Sequence, residues 1–451
     1  MRSVFVGGVI TTLAAATLSA QLQPAIRPLG PTVATSSDSF GPNVVVRHLK
    51  NGVLVNDILN RRLLLLDKNM ANATVVADTT PATGNAYAGR VAGLLAYRGD
   101  SSLFVDPSSL SMLVIDPDGK LTSKVMSVPR SQDVGFMASA AGNANMDNTG
   151  RVVYRGMPAM NMPRMQQSAN GTPVFQAPEI PDTLPVVRIN VASRVLDTIG
   201  FIKIPRVKLD IQNNDGRVSV RSIANPLPVV DDFAVLSDGS IAMIRGRDYH
   251  IDWVRPDGRR ESSAKIPFDW KRLTEEDKIA FIDSVKAYRE RMGANAPMPG
   301  GMGGVPNIQM NFGGGPGGGG GGGGRGGGER IIMGGDGPQP RPNPAGGSPG
   351  GASSAPAPQP MLFVPADELP DYQPPFFSGA ARADADGMLW IRTIPTKGIA
   401  GGPVYDVINN KGALVERVQV PADRTIIGFG AGGVVYLRVG ASNRIERASA
   451  K

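Results

Sequence analysis

The chain has 451 residues, with 47 Lys+Arg against 39 Asp+Glu, two histidines, no cysteine, 57 glycines and 38 prolines. Without cysteine there are no disulfide staples, thiolate metal sites, iron–sulfur clusters or cysteine nucleophiles, and two histidines cannot supply a three-histidine metal centre. The net charge of +8 is spread along the chain and aromatics are only 6% of residues, so no basic, aromatic-interleaved surface for nucleic acid is expected.

The first 20 residues read as a secretory signal peptide. Arg2 gives a positive start, Val4 to Leu18 form an apolar run, and Leu18-Ser19-Ala20 offers small residues for cleavage. An uncut membrane span needs roughly 20 apolar residues, more than this run supplies. No later segment is long and apolar enough to cross a bilayer. The expectation is an exported protein, periplasmic or extracellular, with no membrane span.

From residue 21 onward the chain reads as short strands punctuated by turns. A glycine followed by a β-rich strand recurs in Gly52-Val-Leu-Val-Asn-Asp57, Gly99-Asp-Ser-Ser-Leu-Phe-Val-Asp106 and Gly150-Arg-Val-Val-Tyr-Arg155. It returns in Gly239-Ser-Ile-Ala-Met-Ile-Arg245, Gly387-Met-Leu-Trp-Ile-Arg392 and Gly433-Val-Val-Tyr-Leu-Arg438. The glycines lie 47, 51, 89, 148 and 46 residues apart. The short intervals are the unit, and Met157–Pro181 accounts for the 89-residue gap as an insertion. A second turn follows in Ile115-Asp-Pro-Asp-Gly-Lys120, Val254-Arg-Pro-Asp-Gly-Arg259 and Ile408-Asn-Asn-Lys-Gly-Ala413. Asp-Gly and Lys-Gly at such joints favour the positive φ of tight hairpins. The clearest unit predicts strands at Asp232–Leu236, Ile241–Arg245, His250–Arg255 and Arg260–Ile266.

Four antiparallel strands in about 45 to 50 residues, repeated, describe the blades of a β-propeller. Each blade exposes apolar surface on both faces, so neighbours must cover both and the ring must close. The last unit, Thr425 to Ala448, has room for three strands, and Pro31–Ser37 is placed to add the fourth. A two-sheet sandwich also uses short strands with regular turns, but it does not explain one period met six times. The fold class expected is all-β: a six-bladed β-propeller with four-stranded antiparallel blades, one short helical insertion and a disordered Gly/Pro-rich loop.

The helix is predicted after Thr274, an N-cap followed by Glu275, Glu276 and Asp277. Ile279, Ile282, Val285 and Tyr288 form its apolar stripe, and Gly293 stops it. Between 297 and 360 the composition collapses to glycine and proline, with Gly317 to Gly324 uninterrupted. Such a stretch has too little apolar surface to offset its ordering entropy and reads as a solvated loop. It lacks the strand, helix and Lys-Ser/Thr context of a phosphate-binding loop. The organisation expected is a signal peptide at 1–20, the first part of the propeller at 21–296, the insertion at 297–360, and the last part at 361–451.

Val55-Asn56-Asp57 with Arg61-Arg62-Leu63-Leu64-Leu65-Leu66-Asp67, and Trp253-Val-Arg-Pro-Asp-Gly258, resemble blades of the six-bladed propellers of exported bacterial proteins, similar to NHL-type repeats and the wider TolB-like superfamily. The resemblance spans about 37–296 and 360–449. It implies the blade and no particular reaction, since many members have no assigned activity.

Tests for catalysis on the residues give little. His48 and His250 each lie in a predicted strand, as structural histidines do, and no Gly-x-Ser-x-Gly elbow precedes a helix. Arg98-Gly99-Asp100 spells an adhesion tripeptide but falls on a blade turn. Lactonase-type propellers hold calcium with oxygen ligands from several blades, and Asp133, Asn145, Asp147, Asp231, Asp232, Asp384 and Asp386 are oxygen donors at loop positions. Each also suits a turn or strand end. The leading expectation is a monomeric binding module without catalytic residues or cofactor, taking a small ligand or a protein at its pore or rim. The candidate residues are the charged ones where the innermost strands begin: Arg90, Asp133, Asp232, Arg382 and Asp384. A calcium-assisted hydrolase or lactonase, and a structural or surface-adhesive protein, are the alternatives.

Overall fold

The computed structural model describes residues 23–89, 92–138, 144–157, 164–167, 173–176, 179–214, 217–292, 307–313, 332–334 and 361–450. Residues 1–22, where a signal peptide is expected, and most of 297–360 lie outside them. The chain begins with two short strands, β1 (Ile26–Pro28) and β2 (Thr32–Thr35), which join sheets built from its far end. A four-stranded antiparallel meander follows: β3 (Val44–Leu49), β4 (Gly52–Asp57), β5 (Arg62–Asp67) and β6 (Ala73–Ala77). The next is β7 (Gly93–Ala96), β8 (Ser102–Asp106), β9 (Ser111–Ile115) and β10 (Leu121–Ser127). A one-turn helix, α1 (Val134–Met137), leads to β11 (Asn145–Met146) and β12 (Arg151–Arg155).

The 89-residue gap holds two additions. A separate hairpin, β13 (Arg164–Gln167) and β14 (Pro173–Gln176), precedes β15 (Thr183–Asn190) and β16 (Leu196–Lys203), which complete the sheet on β12. A second hairpin, β17 (Lys208–Asn214) and β18 (Arg217–Ala224), comes before the next meander. That meander is β19 (Asp232–Val235), β20 (Ile241–Arg245), β21 (His250–Val254) and β22 (Arg260–Ser262), the unit read most clearly in the sequence.

The helix α2 runs Glu275–Met292. Thr274 and Asp277 cap its start reciprocally: the Asp277 N–H donates to Thr274 Oγ1 (3.2 Å) and the Thr274 N–H to Asp277 Oδ2 (3.1 Å). Its buried side is Lys278, Ile282 and Val285, whereas Ile279 is 52% exposed. Ile279 therefore does not belong to the stripe expected for it. Lys278 takes the inward place because Glu275 and Asp371 accept from its ammonium at 3.1 and 3.2 Å.

Inside the segment read as a structureless loop, β23 (Asn307–Gly313) pairs with β18, and β24 (Ile332–Gly334) pairs with β23. This corrects the compositional reading for those residues. Asn-Ile-Gln-Met-Asn-Phe alternates with period two and has no glycine, so it is strand-like within a glycine-rich surround. β25 (Leu362–Phe363) runs parallel beside β18. Then come β26 (Ala381–Ala383), β27 (Leu389–Arg392), β28 (Val404–Ile408) and β29 (Leu414–Gln419), to which β1 adds in parallel. The last sheet is β30 (Arg424–Gly430), β31 (Val434–Val439) and β32 (Ile445–Ser449), with β2 as its fourth strand.

Period-two alternation sends successive side chains of each sheet into two different apolar layers. Leu54 and Leu63 meet Leu94 and Phe104 of the β7 sheet, while Val53, Val55 and Leu64 meet Ile427 and Tyr436 of the β30 sheet. Leu103 and Val105 pack on Val152 and Tyr154, and Val153 and Ile199 pack on Phe233 and Ile241. Ile244 and Trp253 pack on Leu389 and Ile391, and Trp390 and Tyr405 pack on Ile426 and Leu437. Each layer is shared between consecutive sheets, and the one between the β30 and β3 sheets joins the end of the chain to its beginning. This is a β-propeller.

Candidate functional site

The first strands of the meanders, β3, β7, β11, β19, β26 and β30, enclose a cavity of about 520 Å³ near the propeller axis. Their turns carry the repeated glycines. Gly99, Gly150, Gly239, Gly387 and Gly433 all have positive φ, as the tight turns demand. Gly52 departs from the pattern: it lies in β4 without positive φ, and a Cβ there would meet the Leu66 carbonyl oxygen at 2.1 Å. Close backbone approach, not turn geometry, keeps that position glycine.

The sequence candidates divide. Arg90 lies outside the described residues. Asp133 is buried, accepts from the Tyr154 hydroxyl (2.8 Å) and pairs with Arg130 Nε (3.2 Å); it does not line the cavity. Asp232 is fully buried and also lies outside the lining. It pairs with Arg155 Nη2 at 2.7 Å and accepts from the Ala381 N–H at 3.0 Å, tying three sheets together. Those two carboxylates hold elements in place.

Arg382 and Asp384 do line the cavity. Asp384 makes three hydrogen bonds, accepting from Trp390 Nε1 (2.9 Å) and from the N–H groups of Asp386 (2.9 Å) and Met388 (2.8 Å). Burial still raises its carboxyl above the usual range, the hydrogen bonds opposing. Arg382 makes no hydrogen bond or ion pair among the described residues. Burial pushes its guanidinium pKa down, with Tyr405 and Asp232 pulling the other way. An arginine guanidinium stays charged, and no hydrogen bond or ion pair among the described residues takes up its donors at the cavity wall.

The wall holds polar groups that the sequence reading did not select. Arg47 donates from Nε to Ser102 Oγ (2.8 Å) and from Nη2 to the Ser101 carbonyl (3.1 Å). Burial lowers its pKa as well, with Asp100 opposing. His48 Nδ1 lies 2.8 Å from the Tyr436 hydroxyl, the satisfied pairing expected of a structural histidine, although its ring reaches the wall. Burial, Arg447 and Arg47 hold it below the usual imidazole range, so it is neutral at pH 7. Arg98 and Asp100 flank Gly99 at the mouth, and Arg98 lies against the Tyr97 ring at 6.0 Å.

A register signal would have found Arg47. The residues five before each repeated glycine are Arg47, Leu94, Asn145, Ala234, Arg382 and Gly428, and all six line the cavity. Repeat-equivalent positions on the innermost strands all border the cavity, although Leu94 and Ala234 also pack into the layers between sheets.

No protein-family model matches the chain, and no curated protein matches it. Solved structures similar to it include a gluconolactonase from Xanthomonas campestris, 10% identical, covering 94% of this chain and 98% of its own, with a TM-score of 0.32. A virginiamycin B lyase from Staphylococcus aureus is 9% identical over 95% of this chain and 98% of its own, with a TM-score of 0.32. The calcium-binding protein regucalcin from Agrobacterium tumefaciens is 10% identical over 94% of each chain, with a TM-score of 0.30. The fold assignment rests on the sheets and shared layers, not on these likenesses.

Among the described residues, no group of three or more Asp, Glu, His or Cys is placed to hold a metal ion, and no helix is long and apolar enough to cross a membrane. Asp147, Asp231 and Asp386, weighed as calcium ligands, have other partners. Asp147 pairs with Arg151 (2.8 Å), Asp231 pairs with Arg245 (2.8 Å), and Asp386 accepts from the Gly432 and Gly433 N–H groups.

Proposed function

We propose that the chain is an exported, six-bladed β-propeller that acts as a binding module and captures a small anionic ligand in its central cavity. The blade count is supported by the meanders headed by β3, β7, β11, β19, β26 and β30, each sharing an apolar layer with the next. Export is supported by the charged start, apolar run and small residues of 1–20. The anionic preference rests on one observation: Arg382 stands in the wall with no partner among the described residues, while the neighbouring Asp384 already accepts three hydrogen bonds. A carboxylate or phosphate oxygen accepting from that guanidinium makes a charge-assisted hydrogen bond in a partly desolvated setting.

The test is calorimetric titration of the protein with acetate and with inorganic phosphate at low ionic strength, beside the Arg382→Gln variant. Measurable binding by the parent, lost in the variant without a change in melting behaviour, supports the reading. Equal binding by both overturns it.

A further inference from the structure

We propose that the ligand carries two separated anionic groups, one held by Arg382 and the other by Arg47, and spans the cavity between the β26 and β3 sheets. This rests on the anion-binding reading above and extends it to the class of ligand. Arg47 and Arg382 occupy the same position of the repeat, five residues before Gly52 and Gly387, and therefore stand at equivalent places on their innermost strands. The sheet between them, headed by β30, has Gly428 at that position. An ideal Cβ there would lie 2.4 Å from Val46 Cγ2, so the close approach of β30 to β3 keeps the position glycine and no third charged side chain stands there. Arg47 and Arg382 thus line one cavity from sheets on either side of the β30 sheet.

Neither arginine is neutralised by the other's surroundings. Arg47 is turned toward the β7–β8 hairpin by Ser101 and Ser102 and senses Asp100, whereas Arg382 senses Tyr405 and Asp232. Two cations on sheets with the β30 sheet between them favour an elongated ligand with a charge at each end over one compact anion. The β30 strand between them supplies Ile427 and Phe429, apolar surface suited to a hydrocarbon spacer. The other carboxylate in this part of the lining, Asp384, is held by three hydrogen bonds of its own and makes none to either arginine.

The experiment is calorimetric titration of the full chain with α,ω-dicarboxylates from succinate to suberate, each paired with the monocarboxylate of equal carbon number, and with inorganic phosphate. One dicarboxylate length is expected to bind at least about tenfold more tightly than its one-ended partner. Arg382→Gln and Arg47→Gln should each reduce it to the monocarboxylate level. Arg47→Lys, which keeps a cation if Arg47→Gln fails to fold, should give an intermediate loss. Dicarboxylates binding no better than monocarboxylates would overturn this inference and leave the anionic cavity standing. So would phosphate matching the best dicarboxylate, or full indifference to both Arg47 variants. Failure of every acid and of phosphate to bind would remove the anionic reading itself.

Discussion

Asp232 and Arg382 lie one on each side of the contact between β19 and β26, yet the protein uses their charges in opposite ways. Asp232 is sealed from solvent, with Arg155 and the Ala381 N–H taking up its two oxygens. Arg382 faces open volume with no partner among the described residues. A buried charge with its hydrogen bonds complete fixes the relation of the elements it touches; a charge left unmatched beside a cavity favours whatever brings the missing group. The identity of a charged residue near the axis therefore says less than its partners do.

Three substitutions or titrations sharpen that contrast. The largest effect is expected from Asp232→Ala, which strands Arg155 and the Ala381 N–H. It should cost about 3 to 5 kcal/mol, read as a large fall in the urea midpoint at unchanged slope. A midpoint near that of the parent would mean that the paired aspartate does not organise the sheets.

Next in size is a pH effect from a third buried carboxylate, Asp406. It accepts from the Tyr249 hydroxyl at 2.9 Å and lies 3.3 Å from Arg417 Nε, but burial outweighs both and raises its pKa to about 6. Its pKa in the folded chain is above the unfolded value, so the folded state binds the proton more tightly. The stabilisation is complete below about pH 4 and is lost as pH rises through about 6, a change of roughly 3 kcal/mol at most. Stability measured across that range in the parent and in Asp406→Asn should differ in slope, the variant being flatter. Identical slopes would assign the pH dependence elsewhere.

The smallest effect belongs to Arg382→Gln. Removing an unpartnered guanidinium breaks no hydrogen bond, and the unfolding free energy should stay within about 0.5 kcal/mol of the parent. A loss comparable to that of Asp232→Ala would show that Arg382 is structural and would erase the contrast between the two residues.

Much of the architecture was legible because it is periodic. Turn glycines, Asp-Gly joints and period-two apolar strands place β19 to β21 within a residue, since each device has a local physical cause, whereas β22 stops at Ser262, short of the expected Ile266. Gly52 shows where the pattern misleads: the same residue type recurs in register for a different reason. β23 was hidden by the glycine-rich sequence around it, and β1 by its brevity and its partner nearly 400 residues away. Of the five candidate site residues, Arg382 and Asp384 reach the cavity, Asp133 and Asp232 do not, and Arg90 lies outside the described residues. Being charged at the start of an inner strand does not say whether a partner awaits across the interface. Arg47 was within reach of the sequence, because it shares the repeat position of Arg382, but comparing units by their glycines serves to find strands before it serves to find a pocket.

The opening residues have a further consequence for biogenesis. β1 lies along β29 and β2 along β32, so two neighbouring sheets wait for strands made first and are themselves made last. During synthesis at about 5 to 20 residues per second, the early strands emerge tens of seconds before their neighbours exist. Sealing the circle is then a long-range step, slow for reasons of chain entropy, and the nascent protein carries an unprotected β edge until it is done.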